Sequence, residues 1–407
     1  MEISDILHKD EGIQGDFKQL QSAFNFYLSE KYRGARKFGF IHATPLIVSG
    51  DFREFYNTLM SVVKRVALSF DEPSIRDVFK IPDELRAILQ NCSPEYSMGT
   101  LRPDFLVGQD ENFFINEINA RFPTNGYFIS HGASYAISRM NRWRKKGIGQ
   151  LEEISEIPLL FSRRLGQNVV VLKRSEPNWD ISLFEEYIKS QEGSVEYFQE
   201  FCKNPEKGVV IELKQREIPE FFNGVDINEF QKQRHINDFR TILVAHDKRL
   251  LSILSDENIL RNYASTEERK IIMPHIPFTK VINDSGDIDD LKDRGEWVLK
   301  HALKGKSKNV YIGREMSEDA WERACLLAQG GNFVAQRYVK QKEFSIYVPH
   351  LGLTKMNLEG MLLGMDGQFI SQGNYRGKIN DTTRLWDGIL SIPPSRASKN
   401  FYTEKIV

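Results

Sequence analysis

The segment 101–119, LRPDFLVGQDENFFINEIN, constrains the fold more than any other stretch of this chain. It reads as two strand-like runs joined by the polar turn GQDEN, the pattern of a hairpin. Side chains two apart on a strand share a face, so Arg102 lies beside Asp104, and Glu117 beside Asn119. A turn centred on Asp110-Glu111 sets Asp104 opposite Glu117 and Arg102 opposite Asn119. Two carboxylates facing each other at ~5 Å destabilise a sheet, so something must compensate. A divalent cation does so, and Asp, Glu and Asn oxygens are the hard ligands that Mg²⁺ prefers. Mg²⁺ also recruits phosphate oxygens, which points to a nucleotide, and Arg102 beside it would handle a phosphate or an acyl phosphate. The alternative is a surface hairpin in which Arg102 simply pairs with Asp104 or Glu117.

Composition narrows the class. The chain has 407 residues, which at about 150 residues per domain means two or three domains, or one with large insertions. A hydrophobic fraction of 41% with 27% charged residues excludes wholesale disorder. The net charge of −1 argues against a broad nucleic-acid-binding surface, which needs a large positive excess. Cys92, Cys202 and Cys325 are odd in number and far apart, so neither a disulfide framework nor a structural zinc site is expected. The opening MEISDILHKDEG lacks the basic and apolar regions of a signal peptide. No apolar run approaches the ~20 residues of a membrane span, and a cytoplasmic protein is the expectation.

The pattern along the chain is mixed. Residues 17–32, 52–69 and 81–90 have helical spacing, the last opening after Pro82. Between the first two, FGFIHATPLIVSG reads as a strand and a turn. NVVVLKR, DISLFEEYIKS and GVVIELK read as strand, helix and strand, an α/β layer with parallel strands. TILVAH (241–246) reads as a further strand, and DKRLLSIL begins a helix with Asp247 as its N-cap. From residue 295 the chain turns β-rich. SEDAWERACLLAQ is a helix capped by Ser317, and Asp366-Gly367 is a hairpin turn. The basic cluster RMNRWRKK (139–146) reads as a solvated loop or helix end, with an acidic-ligand site as the alternative.

Two lysines stand out. Lys248, at the start of a helix, opposes the helix dipole, which makes sense if a bound anion is its partner; an exposed lysine is the plainer reading. Lys300 ends the hydrophobic strand WVLK and precedes the basic, small-residue segment LKGKSKN and a second strand, VYIG. That is the arrangement of a hairpin lid over phosphates, although a solvated turn would look the same. NFVAQRYV then supplies a strand whose end suits an adenine-contacting hinge. Together these parts suit a nucleotide held between two β-layers.

The run RPDFLV…FFINEINARFPTNG resembles the metal-binding segment of the glutathionylspermidine-synthase-like branch of the ATP-grasp superfamily, Arg-x-Asp followed by Glu-x-Asn. AHDKRLLSIL resembles the segment carrying one ATP lysine. EWVLKHALKGKSKNVYIG resembles the lid with the second, and FVAQRYV the adenine hinge. The order of the motifs is similar to the circularly permuted arrangement of that branch, and the likeness covers about residues 100–380. The resemblance implies that Asp104, Glu117 and Asn119 bind Mg²⁺ and that Arg102 stabilises phosphoryl transfer. It implies that Lys248, Lys300 and the loop at Gly305 hold the phosphates of ATP, and that the backbone from Gln336 through Tyr338 to Val339 holds adenine. Gly305 is the only glycine of a loop that is often richer in glycine in the family. The chain has no room for the thiol-dependent amidase domain of the bifunctional enzymes.

The resulting expectation is a mixed α/β (α+β) protein with an ATP-grasp fold and a Rossmann-like pre-ATP-grasp layer. The expected units are an N-terminal α/β region with the hairpin (1–160), the Rossmann-like substrate domain (161–260), the lid (261–340) and C-terminal strands completing the core (341–407). The expected activity is an ATP- and Mg²⁺-dependent carboxylate–amine ligase joining a small acid (amino acid or peptide) to an amine through an acyl phosphate, with neither nucleic acid nor membrane as partner. A homodimer is compatible with this. Arg376, in QGNYRGKIN, is a candidate for the substrate carboxylate or acyl phosphate, a surface arginine being the alternative. His131 is read first as a structural histidine and second as a site residue. A phosphotransferase, a noncatalytic ATP-binding scaffold and an α/β protein with a purely structural ionic hairpin remain open.

Overall fold

The computed structural model describes residues 2–4, 46–49, 52–138, 145, 148–149, 152–174, 179–198, 206–305, 308–348, 352–378, 389–392 and 394–397. The helix expected over 17–32, Cys202, Lys306 and all of the basic cluster except Lys145 lie outside them.

The hairpin Thr100–Val107/Phe113–Asn119 belongs to a seven-stranded sheet whose spine is the long strand Gly352–Met365. The spine pairs antiparallel with Thr100–Val107, and with Glu343–Val348, Gln368–Gln372 and Tyr375–Lys378 at different points of its length. Asp366 and Gly367 take φ of 49° and 81°, both left-handed as a two-residue hairpin turn requires. One face of the sheet packs on the amphipathic helix Arg53–Leu68. The Tyr56 ring lies so close to Gly364 that a Cβ there would meet its Cζ at 2.2 Å, so this crossing needs a glycine. The other face packs on the helix Tyr127–Ser138.

The α/β layer is present as a four-stranded sheet in the order Ser194–Phe198, Asn168–Lys173, Gly208–Glu212, His235–Ile236, all parallel. Its central strands are apolar along their length because both faces are covered. A third sheet holds Thr279–Val281, Phe333–Arg337, Trp297–His301 and Val310–Ile312. It is backed by the helix Glu318–Ala328, whose N-cap Ser317 accepts from the Ala320 N–H at 3.4 Å. Together these layers form the expected mixed α/β architecture.

Two local expectations are corrected. The apolar run at 241–246 is not a strand: Thr241–Ala245 forms a turn of π-helix, buried all round. Periodicity cannot separate a short apolar strand from a helix buried on every side. Asp247 is not the N-cap of the helix that follows, which spans Leu250–Ser255 with Arg249 at the cap position. Asp247 instead accepts from the Arg249 N–H at 2.9 Å and from the Arg249 guanidinium. Lys248 therefore sits in a clamped turn ahead of the helix, and its dipole argument lapses.

Candidate nucleotide site

The hairpin register is the expected one at its business end: Arg102 opposes Asn119 and Asp104 opposes Glu117. Beyond Asp104 the register shifts, so that Phe105 opposes Ile115 and Asn116 is the extra residue of a bulge. The bulge changes what faces where. Ile115 and Ile118 both enter the core, while Asn116, Glu117 and Asn119 all reach polar partners of the site.

The repulsion between the two carboxylates is met by protein groups. Asp104 is fully buried and receives both nitrogens of an Arg102 fork at 2.8 and 2.9 Å. It also accepts from Arg376 Nη2 at 2.5 Å and from Asn119 Nδ2 at 2.9 Å. Arg102 donates further to the Asn125 carbonyl at 3.0 Å and runs beneath Gly126, where φ is +93° and a Cβ would meet Arg102 Cδ at 2.8 Å, so no side chain fits. Arg376 extends the network to Glu359 at 2.9 Å, and Asn116 Nδ2 donates to the same carboxylate at 2.9 Å. Burial, opposed by Arg376 and reinforced by Asp104 and Glu117, leaves the Glu359 carboxyl above its ordinary pKa. Burial lowers the Arg376 pKa, but Glu359, Asp104 and Glu117 outweigh it and hold the guanidinium charged.

Both candidate lysines converge on this hairpin, and at 6% and 7% exposure neither is a surface lysine. Lys248 Nζ lies 3.1 Å from Glu117 Oε2 and donates at 2.9 Å to the Lys304 carbonyl, in the loop that follows the strand Trp297–His301. Lys300 crosses from the third sheet to donate to Asn116, and to Gln336 Oε1 at 2.6 Å. Burial pushes the Glu117 pKa up, but Lys248, the Asn119 hydrogen bond and Lys300 bring it well below the usual carboxylate range.

The cations feel one another. Burial, with Lys248 nearby, lowers Lys300 to about 8 against the pull of Glu117 and Glu359. Burial, Arg121 and Lys248 lower His246 to about 3, and burial, Lys304, Lys248 and Arg249 lower His301 to about 4. In all three the largest cause is burial, to which the neighbouring cations add in the same direction.

The remaining candidates are placed less centrally. The Gln336 side chain is buried between Lys300 and Thr279, to which its Nε2 donates at 3.3 Å. The Tyr338 N–H is used by the Glu296 carbonyl at 2.8 Å, its ring carries the Arg314 guanidinium at 4.2 Å, and Val339 follows it, half-buried. A Cβ on Gly305 would meet nothing within 4 Å, so no crowding requires that glycine. His131 is half-buried in the helix Tyr127–Ser138.

Asp104, Glu117 and Asn119 are the residues of the hairpin whose oxygens could hold Mg²⁺. Asn119 Nδ2 lies 2.9 Å from Asp104 Oδ2 and 2.9 Å from Glu117 Oε1, a hydrogen-bond donor set between two carboxylates. Turning that amide over exchanges Nδ2 for Oδ1 and makes the same spot a convergence of oxygens. Among the described residues no trio of His, Cys, Asp or Glu forms a free-standing metal cage, so a cation here would complete its shell with phosphate and water.

Sequence reasoning missed Asn116, Glu359 and His246. Asn116 needed the bulge. Glu359 belongs to a strand-like run whose partner strand Thr100–Val107 lies far earlier in the chain. His246 was hidden by the strand reading of TILVAH.

Comparison with known proteins bears on the fold. Residues 57–200 match the sequence profile of a family described as AnkG N-terminal domain, a match spanning less than half of the chain. No curated protein matches in sequence. Among solved structures the chain is similar to a glutathione synthetase-like effector, GSS30, from Globodera pallida, in its apo form. The TM-score is 0.61 at 12% identity, over 95% of this chain and 98% of that one. The likeness defines an ATP-grasp-type, glutathione-synthetase-like fold. No helix among the described residues is long and apolar enough to cross a membrane.

Proposed function

We propose that this protein is an ATP- and Mg²⁺-dependent carboxylate–amine ligase of the circularly permuted, glutathionylspermidine-synthase-like ATP-grasp branch. The observation that carries the reading is the meeting of Lys248 and Lys300 with the carboxylate hairpin: Lys248 reaches Glu117, and Lys300 comes to the hairpin from a different sheet. In this reading the two lysines exchange their present partners for phosphate oxygens. Asp104, Glu117 and Asn119 hold Mg²⁺, which when bound neutralises the charge of the phosphates. Adenine lies against the strand end at Gln336, Tyr338 and Val339, and the loop at Gly305 covers the phosphates.

Arg376 and Arg102 supply the fixed positive charge beside the transferring phosphoryl group. Arg376 is the better placed, because it bridges Asp104 and Glu359 and keeps 30% of its side chain exposed. Arg102 is held beneath Gly126 and acts through Asp104. The acid attacks the γ-phosphorus to give an acyl phosphate and ADP. The amine then attacks the acyl carbon and releases phosphate. Positioning and charge neutralisation suffice for this chemistry, without a nucleophilic side chain.

The test is ADP release and product mass spectrometry over a panel of acids and amines with Mg²⁺-ATP. An amide product with stoichiometric ADP supports the ligase. A second reading, a nucleotide-binding scaffold without turnover, is favoured by the saturation of Asp104 by Arg102, Arg376 and Asn119. Mg²⁺-dependent ATP binding with no ADP released from any acid would select it.

A further inference from the structure

We propose that Asp180 and Glu212 are positioning residues: from the parallel layer they fasten the turn 124–126, and that turn holds the Arg102 fork on Asp104. The inference rests on the ligase reading and adds to it the groups that set where Arg102, and through it Asp104, stands.

Three consecutive residues of the turn make three different attachments. Thr124 Oγ1 donates to Glu212 Oε1 at 3.3 Å, both residues being buried. The Asn125 carbonyl accepts from Arg102 Nη1 at 3.0 Å. The Gly126 N–H donates to Asp180 Oδ2 at 3.1 Å. Asp180, 5% exposed, also accepts from the Ile129 N–H at 2.7 Å through its other oxygen. These N–H groups stand at the start of the helix Tyr127–Ser138, where the first four N–H groups of any helix lack a partner within it. A helix cap ordinarily comes from the residue just ahead of its own helix. This carboxylate lies 54 residues beyond Gly126, in the first turn of the helix Trp179–Ser190. That helix follows the strand Asn168–Lys173, and Glu212 ends the neighbouring strand Gly208–Glu212. Both tethers therefore start in the parallel layer and fix its placement against the turn.

Arg102 is pinned at both ends. Nε and Nη2 hold Asp104 and Nη1 holds Asn125, while Gly126 packs on the same guanidinium so closely that a Cβ would meet Nη1 at 2.9 Å. A planar fork cannot follow a displaced turn with one nitrogen and keep two parallel bonds to a carboxylate with the others. Burial pushes the Asp180 carboxyl up to about 6, against the Ile129 and Gly126 N–H groups and the Arg102 guanidinium. The tether and the arginine thus lie within electrostatic reach of each other.

The test has two arms. Arginine side-chain NMR of the full chain follows the Arg102 Nε–H signal, assigned by its loss in Arg102→Lys. Asp180→Asn keeps the volume but turns an amide donor toward one of the two N–H groups, and Thr124→Val removes the link to Glu212. Both should move or broaden the Arg102 signal in the free protein. In the second arm ADP release is measured with the acid and amine that the unaltered protein joins. It is divided by the nucleotide sites counted calorimetrically in the same sample, so that an unfolded fraction does not register as lost rate. Turnover per site should fall at least about tenfold in Asp180→Asn and at least about threefold in Thr124→Val, as expected for a misplaced catalytic constellation. Affinity for an ATP analogue without Mg²⁺ should stay within about twofold, since Lys248 and Lys300 make their contacts elsewhere. If Asp180→Asn fails to fold, Thr124→Val carries both arms. An unmoved Arg102 signal overturns the proposal, and so does a moved signal with unchanged turnover per site. Loss of the ligase reading shows separately, as absence of ADP release from the unaltered protein, and the Arg102 signal then still decides whether the tethers position it.

Discussion

Lys300 offers the sharpest test of the nucleotide site, because its charge is already strained before any ligand arrives. In the free protein burial brings its pKa to about 8. ATP phosphates in place of Asn116 would favour the ammonium and return the pKa toward the ordinary lysine value. Nucleotide binding must then draw a proton from solvent wherever the free protein has lost one. With a free pKa of about 8 and a bound value near 10.5, the uptake is about 0.1 proton at pH 7 and about 0.9 at pH 9, and the Kd weakens about tenfold across that range. Neither His246 nor His301 interferes, since both are neutral throughout, at about 3 and about 4. The assay is calorimetry of a nonhydrolysable ATP analogue with Mg²⁺ in pairs of buffers of different ionisation enthalpy. Lys300→Met should bind weakly at both pH values, weaken adenosine little, and show no pH-dependent uptake. An uptake that stays flat from pH 7 to 9, or persists in the methionine variant, would refute the assignment of Lys300 to phosphate.

The same group predicts a stability difference in the free protein. Its folded pKa lies below its unfolded one, so the unfolded chain holds the proton longer. Unfolding free energy should rise between pH 8 and 10.5 by up to about 3 kcal/mol relative to Lys300→Met in denaturant titrations. Asp104→Asn should cost stability as well as turnover, about 3–5 kcal/mol, because it strands buried Arg102 without its counter-charge; a variant that melts normally would contradict the ion-pair geometry. Glu117→Gln is the cleaner metal probe, since its carboxylate is only partly buried. Its apo melting temperature should fall less than in Asp104→Asn, because buried Lys248 loses only a partly exposed counter-charge, while Mg²⁺ ceases to tighten ATP binding. Amides near Gly305 should exchange rapidly in the free protein and slow with nucleotide; slow exchange without ligand would make the segment a fixed turn.

The legibility of the site differed by residue for physical reasons. The period of two in LRPDFLV and FFINEIN set which charges share a face, and one polar turn set which oppose. Hence the Asp104–Glu117 register was readable. The same logic led to unrelieved repulsion in the free hairpin, whereas the structure places Arg102, Arg376 and Asn119 on Asp104. The Arg102–Asp104 pair was one of the two readings the hairpin left open, whereas the convergence of Arg376 and Glu359 on it was not accessible, because it depends on strands joined across most of the chain. The bulge at Asn116 leaves no composition signal, since Asn is as ordinary on a strand face as at a bulge. The parallel layer was readable from its unbroken apolar runs, and the π-helical turn at Thr241–Ala245 was not, because burial on all sides erases the periodicity that identifies a helix.

The long strand Gly352–Met365 has a consequence in time as well as in space. Thr100–Val107 emerges during synthesis long before the strand that must lie beside it, while the parallel layer is complete by Ile236. Domains form as their partners leave the ribosome, and pairings of high sequence separation come last. The parallel layer can close while the hairpin waits with one edge open, its charged cluster still short of Arg376 and Glu359. The candidate site therefore assembles only after the strand Gly352–Met365 and Arg376 have been made, and a product cut short before residue 352 would lack both Glu359 and Arg376.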